Sequence, residues 1–125
     1  MTGPLIMIND YRIDPARTDE FLGRFEELVK VVEAEEPKVA YFAEHLTADR
    51  TEGSTVQVHA DAENLEYHLE LVGDRIAELV GYVEFHGIHV YGTPTEPVVE
   101  QLRAIAGEGL AIKPLALGFA RFDRT

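Results

Sequence analysis

The sequence predicts a single small α+β domain, residues 1–125, in which an antiparallel sheet carries helices on one face. Three observations predict this fold class: four β-branched-rich segments with strand character, two amphipathic helical segments between them, and a length of 125 residues that suits one hydrophobic core. An apolar fraction of 46% and a charged fraction of 27% are ordinary for a globular domain. We expect a core at 4–92 and a C-terminal extension at 93–125.

The first strand and the first helix occupy the N-terminal part of the chain. Residues 4–13 are apolar and rich in β-branched side chains as far as Asn9. Asp14 has the character of a helix N-cap, and Pro15 suits the first helical position. The apolar residues that follow repeat with the helical period and predict an amphipathic helix that ends before Pro37; they are Phe21, Phe25, Leu28 and Val32.

A hairpin, a second helix and a fourth strand come next. Residues 38–46 and 54–60 are predicted strands, joined through a turn at 50–53. Residues 82–92 are the fourth predicted strand. The helix between the hairpin and this strand begins after Asp61, and its apolar positions are Leu65, Leu69, Val72, Ile76 and Leu79. The order β-α-β-β-α-β is the ferredoxin-like arrangement.

The extension adds a short helix and an extended segment. Thr95 is a predicted N-cap, and the helix behind it ends at Gly107 and carries Val98, Leu102 and Ile105. Residues 110–122 are predicted to be extended. Because Pro114 has no backbone N–H, we place this segment on a sheet edge, or as an arm over a partner subunit.

The predicted strands carry apolar side chains on both faces, which predicts a homodimer. In the first strand Leu5 and Met7 point to one face, whereas Ile6 and Ile8 point to the other. In the second strand we expect three residues to share one face: Val39, Tyr41 and Ala43. Two helices cover one face only, so a second copy of the chain must cover the other. The alternative is that the C-terminal helix covers it within one chain.

Charge and composition argue against several classes of function. A formal net charge of −12 and the scatter of the eleven Lys and Arg residues argue against nucleic acid or an anionic membrane as a partner. The lack of cysteine excludes disulfides, thiolate catalysis and iron–sulfur clusters. The apolar run 5–8 is too short for a signal peptide or a membrane span, so we expect a cytoplasmic protein. We interpret Glu33, Glu35 and Glu36 as a solvated helix end.

The segment 56–69, with the sequence VQVHADAENLEYHL, resembles the antibiotic biosynthesis monooxygenase (ABM) family of the dimeric α/β-barrel superfamily. In that family a strand runs into an Ala-Asp helix cap, and the helix then contains His-Leu. The helix opening at 14–21 and the break at 35–37 are also similar, so the resemblance covers residues 4–92. It implies a ferredoxin-like dimer with a pocket between sheet and helices. Cofactor-independent oxygenases of the family act there on aromatic or quinol-like substrates.

The resemblance also bears on haem. Haem-degrading relatives have an Asn on the first strand, a Trp that ends the third strand and a haem-ligating His on the second helix. Asn9 matches the first position, but His59 falls at the second, and the chain contains no Trp. Residues 69–80, where the haem ligand would lie, contain no His. We therefore expect neither haem nor another cofactor.

Three polar residues are candidates for catalysis. Strand parity and the resemblance direct Asn9 and His59 to the pocket, where an Asn can hold a carbonyl or enolate oxygen and an imidazole can remove a phenolic proton. The alternative is that Asn9 only satisfies local backbone and that His59 is a partly exposed strand residue. His68, on the shoulder of the second helix's apolar stripe, is a possible assistant or a partner of nearby backbone. Asn64 is predicted to face solvent or to help the cap.

The remaining candidates concern the substrate and metals. Four aromatic residues and one amide are predicted to line the pocket as well as the core: Tyr11, Phe25, Phe42, Phe85 and Gln57. His86 and His89 look like a pair of metal ligands, but strand residues three apart point to opposite faces unless Gly87 forms a bulge. No known metal-binding spacing is present, and we expect no metal site.

These observations lead to three hypotheses of function. The first is a cofactor-independent monooxygenase that acts on a small aromatic, quinol or polyketide-like molecule. The second is a non-catalytic ligand-binding or structural dimer on the same fold. The third is an isomerase or cyclase that needs a proton shuttle but no oxygen.

Overall fold

Residues 3–121, which the computed structural model describes, contain one five-stranded sheet and three α-helices. The elements are, in chain order, β1 Leu5–Ile13, α1 Thr18–Glu35, β2 Val39–Leu46, β3 Glu52–His59, α2 Ala62–Val80, β4 Val83–Tyr91, α3 Glu96–Ala106 and β5 Leu110–Lys113. The strand order is β2-β3-β1-β4-β5. The first four strands are antiparallel neighbours in the ferredoxin-like order, which confirms the predicted fold class.

The C-terminal extension adds one strand to the edge of the sheet. After β4, the chain passes through α3 and returns as β5, which pairs with β4 in parallel. The regular strand comprises only Leu110–Lys113, so the predicted extended segment 110–122 is shorter than expected, and Phe122 lies outside the described residues. Pro114 follows β5 directly, which agrees with the lack of a ladder donor at that residue.

Alternation along β1 directs one set of side chains to the helices. Leu5, Met7, Tyr11 and Ile13 are buried there. They pack against the apolar stripes of α1 and α2, including Phe21, Phe25, Leu28, Leu65, Leu69 and Val72. This layer between the sheet and the helices is the hydrophobic core.

α3 belongs to the same helix layer. Val98 and Leu102 are buried in one cluster with Leu5, Met7 and Leu65. The alternative in which this helix covers the opposite face of the sheet is therefore wrong. We call that opposite face the outer face, and define it by Ile6, Ile8, Tyr41, Ala43, Val56 and Tyr91.

The outer face is partly open to solvent. Tyr41 is 45% and Tyr91 is 39% exposed, while Ile8 and Val56 are half-buried. The tail at 114–121 reaches one end of this face, where Ala120 borders a depression together with Val58. Its large apolar side chains remain in solvent: Leu115 is 72%, Leu117 89% and Phe119 84% exposed. An apolar sheet surface therefore remains uncovered within the described chain.

Two one-residue irregularities change the strand parity that the sequence predicts. Between Val39 and Tyr41 the register with β3 shifts, so Val39 lies in the core while Tyr41 and Ala43 lie on the outer face. The predicted common face for these three residues is therefore wrong. In β4, Phe85 pairs with Tyr11 of β1, and Gly87 pairs with the preceding β1 residue, Asp10. One extra residue of β4 therefore lies between Phe85 and Gly87.

The extra residue is His86, and it brings His86 and His89 to the outer face. His86 Nδ1 lies 3.8 Å from Glu52 Oε1, and His89 Nε2 lies 3.6 Å from Asp10 Oδ2. The two histidines thus share a face because of the bulge at Gly87. Each lies beside its own carboxylate.

None of the helices within residues 3–121 is both long enough and apolar enough to cross a membrane.

Candidate active site

A cavity of about 70 Å³ lies between the sheet and the helices. One water molecule needs roughly 10–15 Å³ of cavity volume, so the space holds several waters or a small organic group. Its walls are mainly aromatic and aliphatic, as is usual for small-molecule sites. All five predicted substrate-binding residues line it: Tyr11, Phe25, Phe42, Gln57 and Phe85.

The aromatic walls are held in place by contacts with one another. The rings of Phe25 and Phe42 stack with centroids 5.5 Å apart, and Tyr11 meets Phe85 edge to face at 5.8 Å. Such pairs add about 0.5–1.5 kcal/mol beyond the burial of their area. The cavity therefore has rigid walls suited to a flat apolar molecule.

Asn9 presents an unused acceptor to this cavity. On β1 it pairs with Thr55 of β3 and Ile88 of β4, and its side chain lines the space. The buried Oδ1 atom has no hydrogen-bond partner among residues 3–121. A buried polar atom left unpaired costs about 1–3 kcal/mol, so a ligand hydroxyl or amine that donates to it would recover that energy.

His68 and Glu36 form a buried pair beside the cavity. His68 Nδ1 lies 2.8 Å from Glu36 Oε2, and both side chains are 0% exposed. His68 lines the cavity, and its Nε2 atom is buried with no hydrogen-bond partner in the described chain. When the neutral ring donates its Nδ1–H to the carboxylate, Nε2 carries the lone pair and can accept a proton.

The burial of Glu36 corrects one prediction from the sequence. We expected Glu33, Glu35 and Glu36 to be a solvated helix end. Glu36 is instead the C-cap residue of α1, where the chain leaves the helix and turns towards β2, and its side chain reaches under α2 to His68. The interpretation of His68 as a partner of nearby backbone is also wrong, since its partner is this carboxylate.

His59 lies behind the cavity wall. It is fully buried but does not line the cavity. Its Nε2 lies 2.9 Å from Gln57 Oε1, and its Nδ1 lies 3.0 Å from Asn64 Oδ1. Asn64 is therefore buried against His59, which corrects its expected solvent exposure. Its backbone N–H also donates to Asp61, as the predicted N-cap requires.

His59 is held in its neutral form. Burial, and then the neighbouring His68 ring at a centroid distance of 5.0 Å, lower the pKa of His59 to about 4. A neutral imidazole has one N–H, so it can donate to only one of the two amides, and the other amide must offer it an N–H. The tautomer of His59 therefore determines which end of the Gln57 amide faces the imidazole ring.

A second polar cluster, which the sequence reasoning missed, lies on the sheet. The Tyr11 hydroxyl donates to the Glu44 carboxyl, and Thr55 Oγ lies 2.9 Å from Glu44 Oε1 and 2.6 Å from the Tyr11 oxygen. Asn9, Thr55 and Glu44 stand in one row across β1, β3 and β2. Burial raises the pKa of Glu44 above its usual value, although the two hydroxyls act in the opposite direction.

The sequence did contain a signal for Glu44. It stands between Phe42 and Leu46 with the alternation of a strand, so it occupies a position that should face the core. A charged residue at such a position is uncommon unless it has partners. For metal binding, by contrast, residues 3–121 hold no group of three His, Asp or Glu side chains that could bind an ion.

The fold and its interior pocket define the class to which this chain is similar: the fold of the antibiotic biosynthesis monooxygenases, as the sequence predicted. MupZ from Pseudomonas fluorescens has a TM-score of 0.75 and 18% sequence identity, and the match covers 97% of this chain and 91% of MupZ. The long coverage includes the C-terminal extension. SnoaB, a cofactor-independent oxygenase from Streptomyces nogalater that was crystallised as an asparagine-to-alanine mutant, has a TM-score of 0.60 and 16% identity.

The match to SnoaB covers 76% of this chain and 98% of SnoaB. A proposed antibiotic biosynthesis monooxygenase from Chloroflexus aurantiacus is similar to the same extent, with a TM-score of 0.60, 18% identity and coverage of 74% of this chain and 94% of that protein. The sequence matches no family model and no curated protein. The structural likeness therefore describes the fold.

Proposed function

We propose that this chain is a cofactor-independent monooxygenase that acts on a small aromatic, quinol or polyketide-like molecule held between the sheet and the helices. One observation carries the proposal: the Nε2 atom of His68 is buried, lacks a hydrogen-bond partner in the described chain and borders the cavity, while Glu36 holds the other ring nitrogen. This is the arrangement of a general base with an orienting carboxylate. The name of SnoaB, a cofactor-independent oxygenase, is consistent with it.

In this proposal each polar group has a distinct task. His68 removes a proton from a phenolic O–H or an activated C–H of the substrate. Asn9 accepts a hydrogen bond from a second substrate hydroxyl, and Gln57 holds a polar atom from the third strand. His59 does not border the cavity, so we assign it a positioning role behind Gln57.

The chemistry balances with molecular oxygen as the co-reactant. Deprotonation leaves an electron-rich phenolate or carbanion, which can pass electrons to O₂. For a substrate CH₂ group the overall change is the loss of two hydrogens and the gain of one oxygen atom as a carbonyl. The second oxygen atom leaves as water. The five aromatic side chains of the cavity wall exclude bulk water from this charged intermediate.

An isomerase or cyclase is the second candidate. The observation that favours it is the presence of a second proton-carrying cluster, Tyr11 with Glu44, on the sheet side of the same cavity. A base on one side and a proton donor on the other can move a proton within a substrate without any oxidant.

Oxygen uptake with a panel of dihydroxyaromatic compounds, with no cofactor added, tests the proposal. We expect uptake that falls by about 10²–10⁴-fold in His68→Gln, because general base catalysis contributes that much. His59→Ala should also lower it, through Gln57. The matched control is Glu70→Gln, since Glu70 is exposed on α2 and borders no part of the cavity.

The other outcomes separate the alternatives. Substrate conversion without oxygen uptake, with loss in His68→Gln, would replace the monooxygenase by the isomerase or cyclase. Binding without any conversion would leave a non-catalytic ligand-binding protein. Equal oxygen uptake in His68→Gln and the unsubstituted chain would remove His68 as the base.

We also propose that the protein is a homodimer joined through the outer face. The support is the uncovered apolar surface around Ile8 and Val56, together with the exposure of Tyr41 and Tyr91. α3 packs on the helix side of the sheet, and the described part of the tail borders the outer face at Val58, near the end of β3. A stable protein interface buries about 800 Å² on each partner, and a five-stranded sheet offers a surface of that order.

A further inference from the structure

The proposed monooxygenase uses His68 and Glu36 on the helix side of the cavity, and it uses Asn9 and Gln57 on the sheet. It gives no task to a second polar cluster on the sheet, which Tyr11 forms with Glu44 and Thr55. On the sheet side, Tyr11 borders the cavity and contacts Glu44 and Thr55. These three polar side chains come from three neighbouring strands in an otherwise aromatic region. A buried hydroxyl that is paired with a carboxyl group can donate a proton or a hydrogen bond to a ligand, and a purely structural core does not need such a pair.

We propose that Tyr11 donates a hydrogen bond or proton to a substrate oxygen at the sheet side of the cavity, and that Glu44 is the positioning residue that controls this donor. The proposal rests on the function proposed above and extends it. It specifies the substrate as a molecule with a carbonyl or phenolic oxygen and an acidic C–H or O–H bond close to that oxygen.

The Tyr11 ring is fixed, so only its hydroxyl proton can move. The side chain is buried, and its ring meets Phe21 at 5.9 Å and Phe85 at 5.8 Å, both edge to face. Burial and then the nearby Glu44 raise the pKa of Tyr11 above its ordinary value. The phenol therefore remains protonated and acts as a donor, not as a base.

The surroundings of Glu44 disfavour the ionised form of its carboxyl group. One carboxyl oxygen, Oε1, receives the contacts from Tyr11 and Thr55, while Oε2 is buried with no hydrogen-bond partner among residues 3–121. Space for Oε2 exists because residue 53 is glycine: a Cβ atom there would lie 2.3 Å from it. Burial without a second partner favours the protonated form.

The protonation of Glu44 determines where the Tyr11 proton points. An ionised carboxylate can only accept, so it holds the Tyr11 proton on itself. A protonated Glu44 can donate to the Tyr11 oxygen, which frees the Tyr11 proton to turn into the cavity. Two other titratable groups act on the pair: His45 lowers the pKa of Glu44, and Asp10 raises that of Tyr11.

The step balances for a carbonyl substrate. His68 Nε2 takes a proton from the carbon beside the carbonyl group, and the C–H electron pair forms a C=C bond. The carbonyl π pair moves to oxygen, which takes the Tyr11 proton, and Tyr11 takes the proton of Glu44. The products are an enol, a protonated His68 and an ionised Glu44. Return of the two protons completes an isomerisation, or O₂ intercepts the electron-rich intermediate.

Calorimetric binding of acetophenone at a series of pH values tests the inference without any need for turnover. Acetophenone has a carbonyl oxygen and no group that titrates in the working range. We expect the full-length chain to bind it more weakly as pH rises, because Glu44 ionises and withdraws the Tyr11 proton. Tyr11→Phe should weaken binding about tenfold at low pH, the effect of one lost hydrogen bond, and remove the pH dependence.

Glu44→Gln is the decisive variant. A glutamine amide can always donate to the Tyr11 oxygen, so it mimics the protonated acid, and binding should then stay tight across the pH series. Tyr67→Phe and Glu70→Gln, both exposed on α2, are the matched controls and should behave as the parent chain. Equal affinity in Tyr11→Phe and the parent, or the same alkaline weakening in Glu44→Gln, would overturn the inference.

If turnover is found, the pH dependence of its rate gives a second test. The turnover rate should decline as pH rises, and Glu44→Gln should abolish that decline. His68→Gln should lower the rate at every pH. Failure of the oxygen-uptake assay would remove the proposed function without affecting the acetophenone result. The two proposals can therefore fail separately.

Discussion

The two faces of the sheet differ in how far their polar side chains are buried. On the helix side, Thr55, Gln57 and His59 are buried, and they are tied into hydrogen-bonded clusters around a cavity. On the outer face, His86 and His89 remain partly exposed beside carboxylates at 3.6–3.8 Å. Thr55, Gln57 and His59 have buried hydrogen-bond partners, whereas His86 and His89 keep contact with solvent.

The two faces also differ in the free-energy cost of their polar atoms. Burying a polar atom without a partner costs about 1–3 kcal/mol, and the inner face has two such atoms, Asn9 Oδ1 and Glu44 Oε2. Among residues 3–121 the outer face has no such buried atom, but it leaves apolar strand surface in water. This difference supports the proposals that the inner face binds a ligand and that the outer face contacts a second copy of the chain. Each of the following predictions tests one half of this comparison.

The largest expected effect is on the outer face. Ile8 lies in its centre, paired with Val56 and His89. Ile8→Lys should raise the dimer dissociation constant by about a hundredfold or more, because it removes roughly 1.5–3 kcal/mol of apolar burial and adds a charge to the interface. Analytical ultracentrifugation measures it. The parent should sediment at about twice the 14.0 kDa of one chain.

Tyr67→Lys is the matched control for that experiment. Tyr67 is as exposed as the outer-face tyrosines but lies on α2, away from the sheet. It should leave the dimer intact. A parent chain that sediments as a single 14.0 kDa species would contradict the dimer and would leave the outer face without an explanation.

The second prediction concerns the inner face and pH. The folded-state pKa of His59 is about 4, below its ordinary value of 6.5, so between these values the unfolded chain binds a proton that the folded chain refuses. Stability is therefore complete above pH 6.5 and falls as pH decreases towards 4, by about 3 kcal/mol from this residue. Urea unfolding at several pH values measures the loss.

A substitution isolates the contribution of His59. His59→Gln should lose much less stability over the same pH range, whereas His45→Gln, an exposed control, should follow the parent chain. Identical pH dependence in the parent and His59→Gln would show that His59 is not the group held neutral in the core.

The element order could be predicted from the sequence because helical and strand periods are local signals. The stripe of Phe21, Phe25, Leu28 and Val32 lies within one helix, and each residue is buried as expected. Strand parity was predicted less well, because one extra residue in β2 and one in β4 reverse every later side chain. Such bulges depend on the partner strand, which a single segment does not reveal.

The site was predicted in part for the same reason. Seven of the eight predicted site residues border the cavity, since parity and helical period direct them inward, and His59 lies just behind. Their roles remain predictions. Glu36 was missed because its partner His68 is 32 residues away, and three nearby glutamates have the pattern of a solvated helix end. Only the turn at the end of α1, a tertiary feature, brings the carboxylate inside.

The smallest expected effect is the difference in the free energy of unfolding between two variants that each add one methyl group, one on each face of the sheet. At Gly53 a Cβ atom would lie 2.3 Å from Glu44 Oε2 and 3.1 Å from Tyr11 Cε1, so Gly53→Ala must displace the carboxyl group. We expect a loss of about 1–3 kcal/mol in the free energy of unfolding, together with a weaker contact between Glu44 and Tyr11. At Gly87, beside His89, the closest atom would be 3.2 Å away and belongs to a side-chain end.

Gly87→Ala should therefore cost less than Gly53→Ala, because the partly exposed His89 ring can move into solvent whereas Glu44 is enclosed by Tyr11 and Thr55. Urea unfolding of the two variants gives the comparison directly. The acetophenone titration adds a functional measure, since only Gly53→Ala should alter the pH dependence of binding. If Gly87→Ala proved the more destabilising of the two, the inner face would not be the more tightly packed side of the sheet. The argument that its polar atoms are held in place for a ligand would then fail.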